Sequence, residues 1–172
     1  LTDFEGVEEQ AAISPDGTLV AFISDRDGQN DVWVTRVGSN EFRNLTQGRN
    51  IPQFSPETRV LGFSPDGSQV HFTGEIKAGE RSSDLWSVPV LGGAVRPLAD
   101  GAIEFAWSPD GRSFAYRTSD PGDPVSVRDA TGDGDRQLLV SAAGEHNHFP
   151  IWSPDGAYIY FLHGTSVVDS MA

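Results

Sequence analysis

Short apolar runs recur along this chain, and each of four stops at the same polar corner: Ser14-Pro15-Asp16-Gly17, Ser64 to Gly67, Ser108 to Gly111 and Ser153 to Gly156. Pro at the second position pre-sets φ, Ser and Asp accept local backbone hydrogen bonds, and Gly takes the left-handed conformation that follows a type I turn. Apolar residues run into each corner and alternate out of it, so each corner predicts a hairpin between two antiparallel strands.

The runs before the corner are Ala11-Ala12-Ile13, Leu61-Gly62-Phe63, Phe105-Ala106-Trp107 and Pro150-Ile151-Trp152. The residue before Ser is always large, and its predecessor is small in Ala12, Gly62 and Ala106. This pattern predicts an innermost strand buried on both faces, one bulky and one thin, between neighbouring sheets. Second strands follow the corner, with Val20/Phe22, Val70/Phe72, Phe114/Tyr116 and Ile159/Phe161 on one face. Third strands start at Asp31-Val-Trp-Val34 and Asp84-Leu-Trp-Ser-Val88, with Val125-Ser-Val127 as a weaker copy. Short fourth strands are expected at Arg43–Thr46, Arg96–Leu98 and Gln137–Val140, weakening outward.

Spacings of 50, 44 and 45 residues separate Ser14, Ser64, Ser108 and Ser153. A period near 45 with four strands per unit is that of a propeller blade, and a sandwich has no reason to repeat one bulky-thin strand at that interval. Gly and Pro interrupt every window long enough for a helical period. The expected fold is therefore an all-β propeller of four-stranded antiparallel blades, about three and a half of them: 3–46, 47–98, 99–140 and a half blade at 141–172. Gln47–Thr58, with the degenerate copy Phe54-Ser-Pro-Glu57, accounts for the longer first spacing and is expected to be a surface loop. Leu1-Thr2 looks like the end of an outer strand, as Leu45-Thr46 is.

These repeats, Ala12-Ile-Ser-Pro-Asp-Gly17 through Asp31-Val-Trp33 to Asn44-Leu-Thr46 and the copy at Trp107-Ser-Pro-Asp-Gly111, resemble the WD-like repeats of TolB-type β-propellers over nearly the whole chain. The resemblance implies blades around a central channel, six or more in a closed ring. It also implies bacterial modules that bind protein partners in the cell envelope, propellers beside the catalytic domains of tricorn-like and prolyl-oligopeptidase-like proteases, or sensor domains of regulators. Three and a half blades do not close a ring, and open sheet edges and uncovered bulky residues need cover. Either the chain is part of a longer propeller, or copies of it associate through the open inner edges; a protein partner or a second copy of the chain is the expected cover.

Charge narrows the partners. Twelve basic residues against 25 acidic ones give a net charge of −13, which repels nucleic acid and anionic lipid. Without cysteine there is no disulfide or thiolate chemistry. No apolar run reaches bilayer length, and no charged, apolar leader precedes the first strand, although the chain begins at Leu1 rather than Met. Such a composition suits periplasm and cytoplasm equally.

Candidate chemistry sits where inner strands begin, at the mouth of a propeller channel. Counting five back from each Ser gives Glu9, Arg59, Ile103 and His148; counting four back gives Gln10, Val60, Glu104 and Phe149. Arg59 and His148 could hold an anion, and Glu9 and Glu104 a cation. The blander alternative is that these are solvated strand-entrance residues. Glu145-His-Asn-His148 is the sharpest cluster. His146 and His148 on an extended strand share a face, with backbones roughly 7 Å apart, a geometry that divalent-metal sites use. Glu145 or Glu9 could add an oxygen ligand. Similar propeller lyases that cleave oligogalacturonate hold a metal through histidines at the channel mouth, which makes a metal-dependent enzyme the alternative reading. Otherwise these histidines pack and hydrogen-bond at a blade entrance.

Asp25–Asp31 and Asp129–Asp135 have the composition of calcium loops without the ligand spacing, and Asx-Gly turns explain both. There is no Gly-x-Ser-x-Gly elbow and no Gly-x-x-x-x-Gly-Lys loop. Glu8 and Glu9 are adjacent on a strand and make a poor acid/base pair. The sequence thus reads as a non-enzymatic, TolB-like binding or sensing module.

Overall fold

The chain is described by a computed structural model over residues 6–47, 61–74 and 84–165. These residues form three four-stranded antiparallel sheets and one two-stranded sheet. The first contains β1 (Glu8–Ile13), β2 (Leu19–Ser24), β3 (Asp31–Arg36) and β4 (Phe42–Asn44) in that order. The second contains β5 (Leu61–Phe63), β6 (Gln69–Gly74), β7 (Asp84–Pro89) and β8 (Arg96–Ala99). The third contains β9 (Ala102–Trp107), β10 (Ser113–Thr118), β11 (Val125–Asp129) and β12 (Arg136–Leu139). The fourth is the hairpin of β13 (His146–Trp152) and β14 (Ile159–Gly164). This is the all-β, partial propeller expected from the repeats. The expected loop at Gln47–Thr58 lies outside the described residues after Gln47, as do Leu1-Thr2 and most of the long loop before β7.

Each corner folds by one recipe. Ser14 donates its hydroxyl to Asp16 (2.6 Å) and accepts the Leu19 amide (2.9 Å), while the Gly17 amide closes the turn on the Ser14 carbonyl (2.8 Å). Gly17, Gly67, Gly111 and Gly156 have φ between 68° and 71°, a conformation that a side chain disfavours. The corners also nest on one another. A Cβ at Gly67 would lie 3.8 Å from Pro15, one at Gly111 3.4 Å from Pro65, and one at Gly156 3.7 Å from Pro109. The same turn therefore sets strand register within a sheet and spacing between sheets.

The bulky-thin alternation joins the sheets in a fixed direction. A Cβ at Gly62 would touch the Phe105 ring at 3.6 Å, and Trp152 donates its indole N–H to the Ala106 carbonyl at 3.0 Å. Bulky side chains of one sheet thus sit on the thin face of the sheet before it. Further out, Ala21, Ile23, Val32 and Val34 of the first sheet close on Val70, Phe72 and Val88 of the second. Leu85 of the second sheet shares a core with Phe114 and Tyr116 of the third.

One expectation is corrected here. The inner strands are not the ones buried on both faces: β1 is partly exposed throughout and Ile13 is 62% exposed, whereas Ile23, Val32, Val70, Leu85 and Phe114 of the second and third strands are fully buried. An inner strand borders the open channel on one edge, and the bulky face of β1 has no preceding sheet among the described residues. Second and third strands have ladder partners on both sides and sheets across their faces.

The fourth strand of the first sheet ends at Asn44, short of the expected Thr46. Leu45 and Thr46 turn inward instead: the Thr46 hydroxyl donates to Asp31 and accepts the Val32 amide (3.1 Å), and Asn44 donates to Asp31 (2.8 Å). In the Asp-x-Trp stretches, Trp33 and Trp86 donate to the Ser24 and Gly74 carbonyls at 3.3 and 3.1 Å, tying third strand to second. Asp84 accepts the Gly101 amide (2.9 Å) at the crossing to the next sheet. These residues serve the frame.

Candidate functional site

At the start of β13 the ladder slips. His146, Asn147 and His148 pair with Gly164, His163 and Leu162, but the next aligned pair is Ile151 with Tyr160. The extra residue is absorbed at Phe149, whose φ of 53° is uncommon for an aromatic residue. A bulge of this kind bends a strand and re-aims the side chains beside it. The equivalent position in β1, Gln10, has φ 47° and a similar slip. Four residues before the corner, the strand entrance is therefore kinked in both sheets.

The kink is held from the neighbouring sheet. Glu104 of β9 accepts the Phe149 amide on Oε2, and on Oε1 the Arg117 guanidinium (3.0 Å) and His148 Nδ1 (3.3 Å). Arg117 of β10 stands directly across the ladder from Glu104 and reaches on to Asp123 Oδ1 at 3.2 Å. Asp123 closes the turn between β10 and β11, with φ 41°, and its Oδ2 meets His146 Nδ1 at 2.7 Å. The side chains of Glu104 and Arg117 are 3% and 5% exposed, so this chain of charges is largely withdrawn from water. Such a pair holds best when its lone pairs and protons are satisfied; here the carboxylate takes three donors, while Arg117 Nε has no partner among the described residues.

The two histidines do share a face, with ring centroids 6.2 Å apart and planes inclined by 28°. Their Nδ1 atoms face carboxylates, which only accept, so each Nδ1 carries a proton and, in a neutral ring, each Nε2 presents a lone pair. A carboxylate behind a histidine is the arrangement that orients metal-binding imidazoles. His148 Nε2 is buried without a partner. Asp123, His146 and His148 each offer one ligand atom within 4.8 Å of the others. The residue types fit a borderline divalent ion such as zinc, while Arg117 on the second oxygen of Asp123 opposes a cation there.

The other candidates fall differently. Glu104 is 2% exposed and engaged as described, and it borders a cavity between the third and fourth sheets with Phe105, Phe149 and Leu162. Glu9 is half-buried, and its ladder partner is Ile23; it is not part of the Asp123–His146–His148 cluster. Arg59 lies outside the described residues. Glu145 turns to the Ala142 amide (3.0 Å) and lies 3.8 Å from His163 Nε2. His163 contacts the Asn147 side-chain oxygen, and Asn147 in turn donates to the Asp123 carbonyl (3.0 Å) and Ser141 (2.8 Å).

Arg117 and Asp123 complete the site and were not among the expected residues. Arg117 had a signal: nine residues after the corner Ser, the other copies carry Ile23, Thr73 and Leu162. A lone charge in an otherwise uncharged, inward-facing register implies a buried partner. Asp123 had only the turn chemistry of Pro121-Gly122-Asp123-Pro124, which marks a loop and not what it faces.

Known proteins share this frame. A protein of Agrobacterium fabrum described only as uncharacterized is 31% identical over 110 residues, covering 58% of this chain and 34% of its own length. The solved structure of a putative TolB from Agrobacterium tumefaciens superposes with a TM-score of 0.66 at 23% identity, over 91% of this chain and 54% of that one. An oligogalacturonate lyase from Vibrio parahaemolyticus superposes with a TM-score of 0.71 at 15% identity, over 95% of this chain and 48% of that one. At such identities the solved structures show the fold alone, and the chain spans about half the length of each. The sequence profile of the TolB beta propeller domain matches residues 1–171, and the chain belongs to that family.

Proposed function

We propose that this chain is a non-enzymatic binding module that associates through the outward face of its last sheet, with a second copy or a protein that presents the same kind of sheet. The observation that carries this is the state of that face. Ile151, Tyr158, Tyr160 and Leu162 point the same way and are 53%, 64%, 59% and 44% exposed. They occupy the positions that, in earlier sheets, receive the bulky side of the next one. Ile13, at the other end, is an uncovered bulky residue of the complementary kind. Contiguous apolar surface of this sort marks an interaction site. Light scattering of the purified chain, with Tyr160→Glu as comparison, tests this: association that the charge abolishes supports it, and a monomer in both cases refutes it.

A second reading rests on one observation, the unpartnered Nε2 of His148 beside His146 and Asp123. On this reading the channel mouth binds a divalent metal, which could serve a lyase- or hydrolase-like reaction by polarising a substrate oxygen. Metal analysis of the protein and of His148→Ala decides it: stoichiometric metal lost with the imidazole supports it, and no metal in either removes it.

A further inference from the structure

A cavity of about 800 Å³ opens between the second and third sheets on the corner side, away from the histidine cluster. Its volume is in the range of small-molecule sites. Pro65, Pro97, Leu98 and Trp107 supply apolar wall. Three groups of the wall are donors. Trp107 donates its indole N–H to His71 Nδ1 at 3.3 Å. An indole only donates, so the His71 Nδ1 is the acceptor and, in the neutral ring, Nε2 carries the hydrogen. His71 is 2% exposed and lines the cavity, and this Nε2–H has no partner among the described residues. Burial lowers the His71 pKa to about 4, so the ring is neutral near pH 7. Gln69 accepts the Ser87 hydroxyl on its side-chain oxygen (3.1 Å), which leaves its NH₂ to donate. Arg96 is exposed on the cavity wall and makes no ion pair among the described residues, in a chain with net charge −13.

The carboxylates nearby serve the corners. Asp66 takes the Ser64 hydroxyl and both the amide and hydroxyl of Ser68, and Asp110 takes the Ser108 hydroxyl and the Arg112 amide. Both carboxyls are held below the ordinary value of 3.8 by these bonds and stay charged. Arg96, Gln69 and His71 bring three donors to its wall, and two fixed anions at its rim disfavour a multiply charged ligand such as phosphate.

We propose that this cavity binds a small organic monocarboxylate, its carboxylate on the donors from Arg96, Gln69 and His71 and its apolar body against Trp107 and the prolines. Arg recognises carboxylates through paired hydrogen bonds, and the Nε2–H of His71, a residue of the cavity wall, is a further donor for the same group. The site is independent of the association face and of the histidine cluster.

Amide NMR titration with benzoate tests the proposal, with benzamide and inorganic phosphate as comparators. Saturable shifts at Gly111, Ala130 and Thr131 with benzoate, and much weaker ones with benzamide and phosphate, are expected. Arg96→Gln changes an exposed side chain and leaves the fold intact; it should weaken benzoate binding roughly tenfold or more. Arg112→Gln, at an exposed turn, should not. Absence of shifts with benzoate, equal binding of benzamide, or unchanged affinity in Arg96→Gln overturns the proposal.

Discussion

The carboxylate of Glu104 accepts the backbone amide of Phe149, so a side chain of one blade holds the kinked strand entrance of the next. The same carboxylate carries Arg117 and His148, and through Arg117 it reaches Asp123 and His146. Blade docking and the geometry of the histidine pair are therefore one structure, and a change at Glu104 is felt in both.

Removing one partner of this buried pair should be costly. Glu104→Gln leaves Arg117 with Asp123 as its one remaining countercharge, and removing a partner from a buried pair costs up to about 3–5 kcal/mol. Paired removal, Glu104→Gln with Arg117→Met, should recover part of that, since the guanidinium that lost a partner is gone. Denaturant unfolding of the two variants measures the difference. Equal loss in single and double variants would show that the ion pair is not what Glu104 contributes.

Two pH effects on stability follow. His71 has an ordinary pKa of 6.5 when unfolded and about 4 when buried. The unfolded chain therefore takes up this proton first, and stability falls as pH drops from 6.5 toward 4. His71→Phe should flatten that slope in urea titrations at pH 7, 5.5 and 4.5, even if it shifts the overall level. Below that range the corners act. Asp16 is lowered from 3.8 to about 2 by the Ser14 hydroxyl and then by the Thr18 amide and hydroxyl, and Asp66, Asp110 and Asp155 are lowered in the same way. A lowered carboxyl stabilises above its unfolded pKa and ceases to as pH falls through its folded one. A second loss of stability between about pH 4 and pH 2 is expected, and it should shrink as corner Asp residues are changed to Asn.

The repeat made most of the frame legible before any coordinates. Ser-Pro-Asp-Gly fixed which residues precede and follow each hairpin, and counting from Ser14, Ser64, Ser108 and Ser153 identified the bulky and thin faces that pack together. The same count reached Glu104, four residues before Ser108, but not its ladder partner Arg117, nine after it. Nor could it locate Asp123. That residue approaches His146 because the β10–β11 loop crosses the seam between two sheets, and a contact between sheets has no period. Burial of the inner strands departs from their pattern for a related reason: they are apolar on both faces, but the channel beside them is open.

If the histidine cluster holds a metal, its ligands separate into direct and supporting groups. His148→Ala should remove metal retention. Glu104→Asp should weaken it by about 10- to 100-fold, as loss of an orienting carboxylate does, without removing a ligand. Competition with a chromogenic chelator reads both. Retention unchanged in His148→Ala would show that any bound ion lies elsewhere.

The corner glycines give a stability test of the nested turns. Gly111→Ala puts a methyl group at φ 68° and 3.4 Å from Pro65, whereas Gly17→Ala has the same backbone conformation with nothing within 4 Å. Both should cost about 1 kcal/mol for the conformation, and Gly111→Ala more. Equal losses by thermal unfolding would mean that the contact between corners is not tight.

Association through the last sheet is the central claim, and one measurement addresses it most directly: the concentration dependence of molar mass by light scattering, for the chain and for Tyr160→Glu. The exposed row Ile151, Tyr158, Tyr160 and Leu162 predicts mass above that of the 18.5 kDa chain, rising with concentration and returning to monomer in the variant. A monodisperse monomer for the unaltered chain at all concentrations, indistinguishable from the variant, would contradict the account.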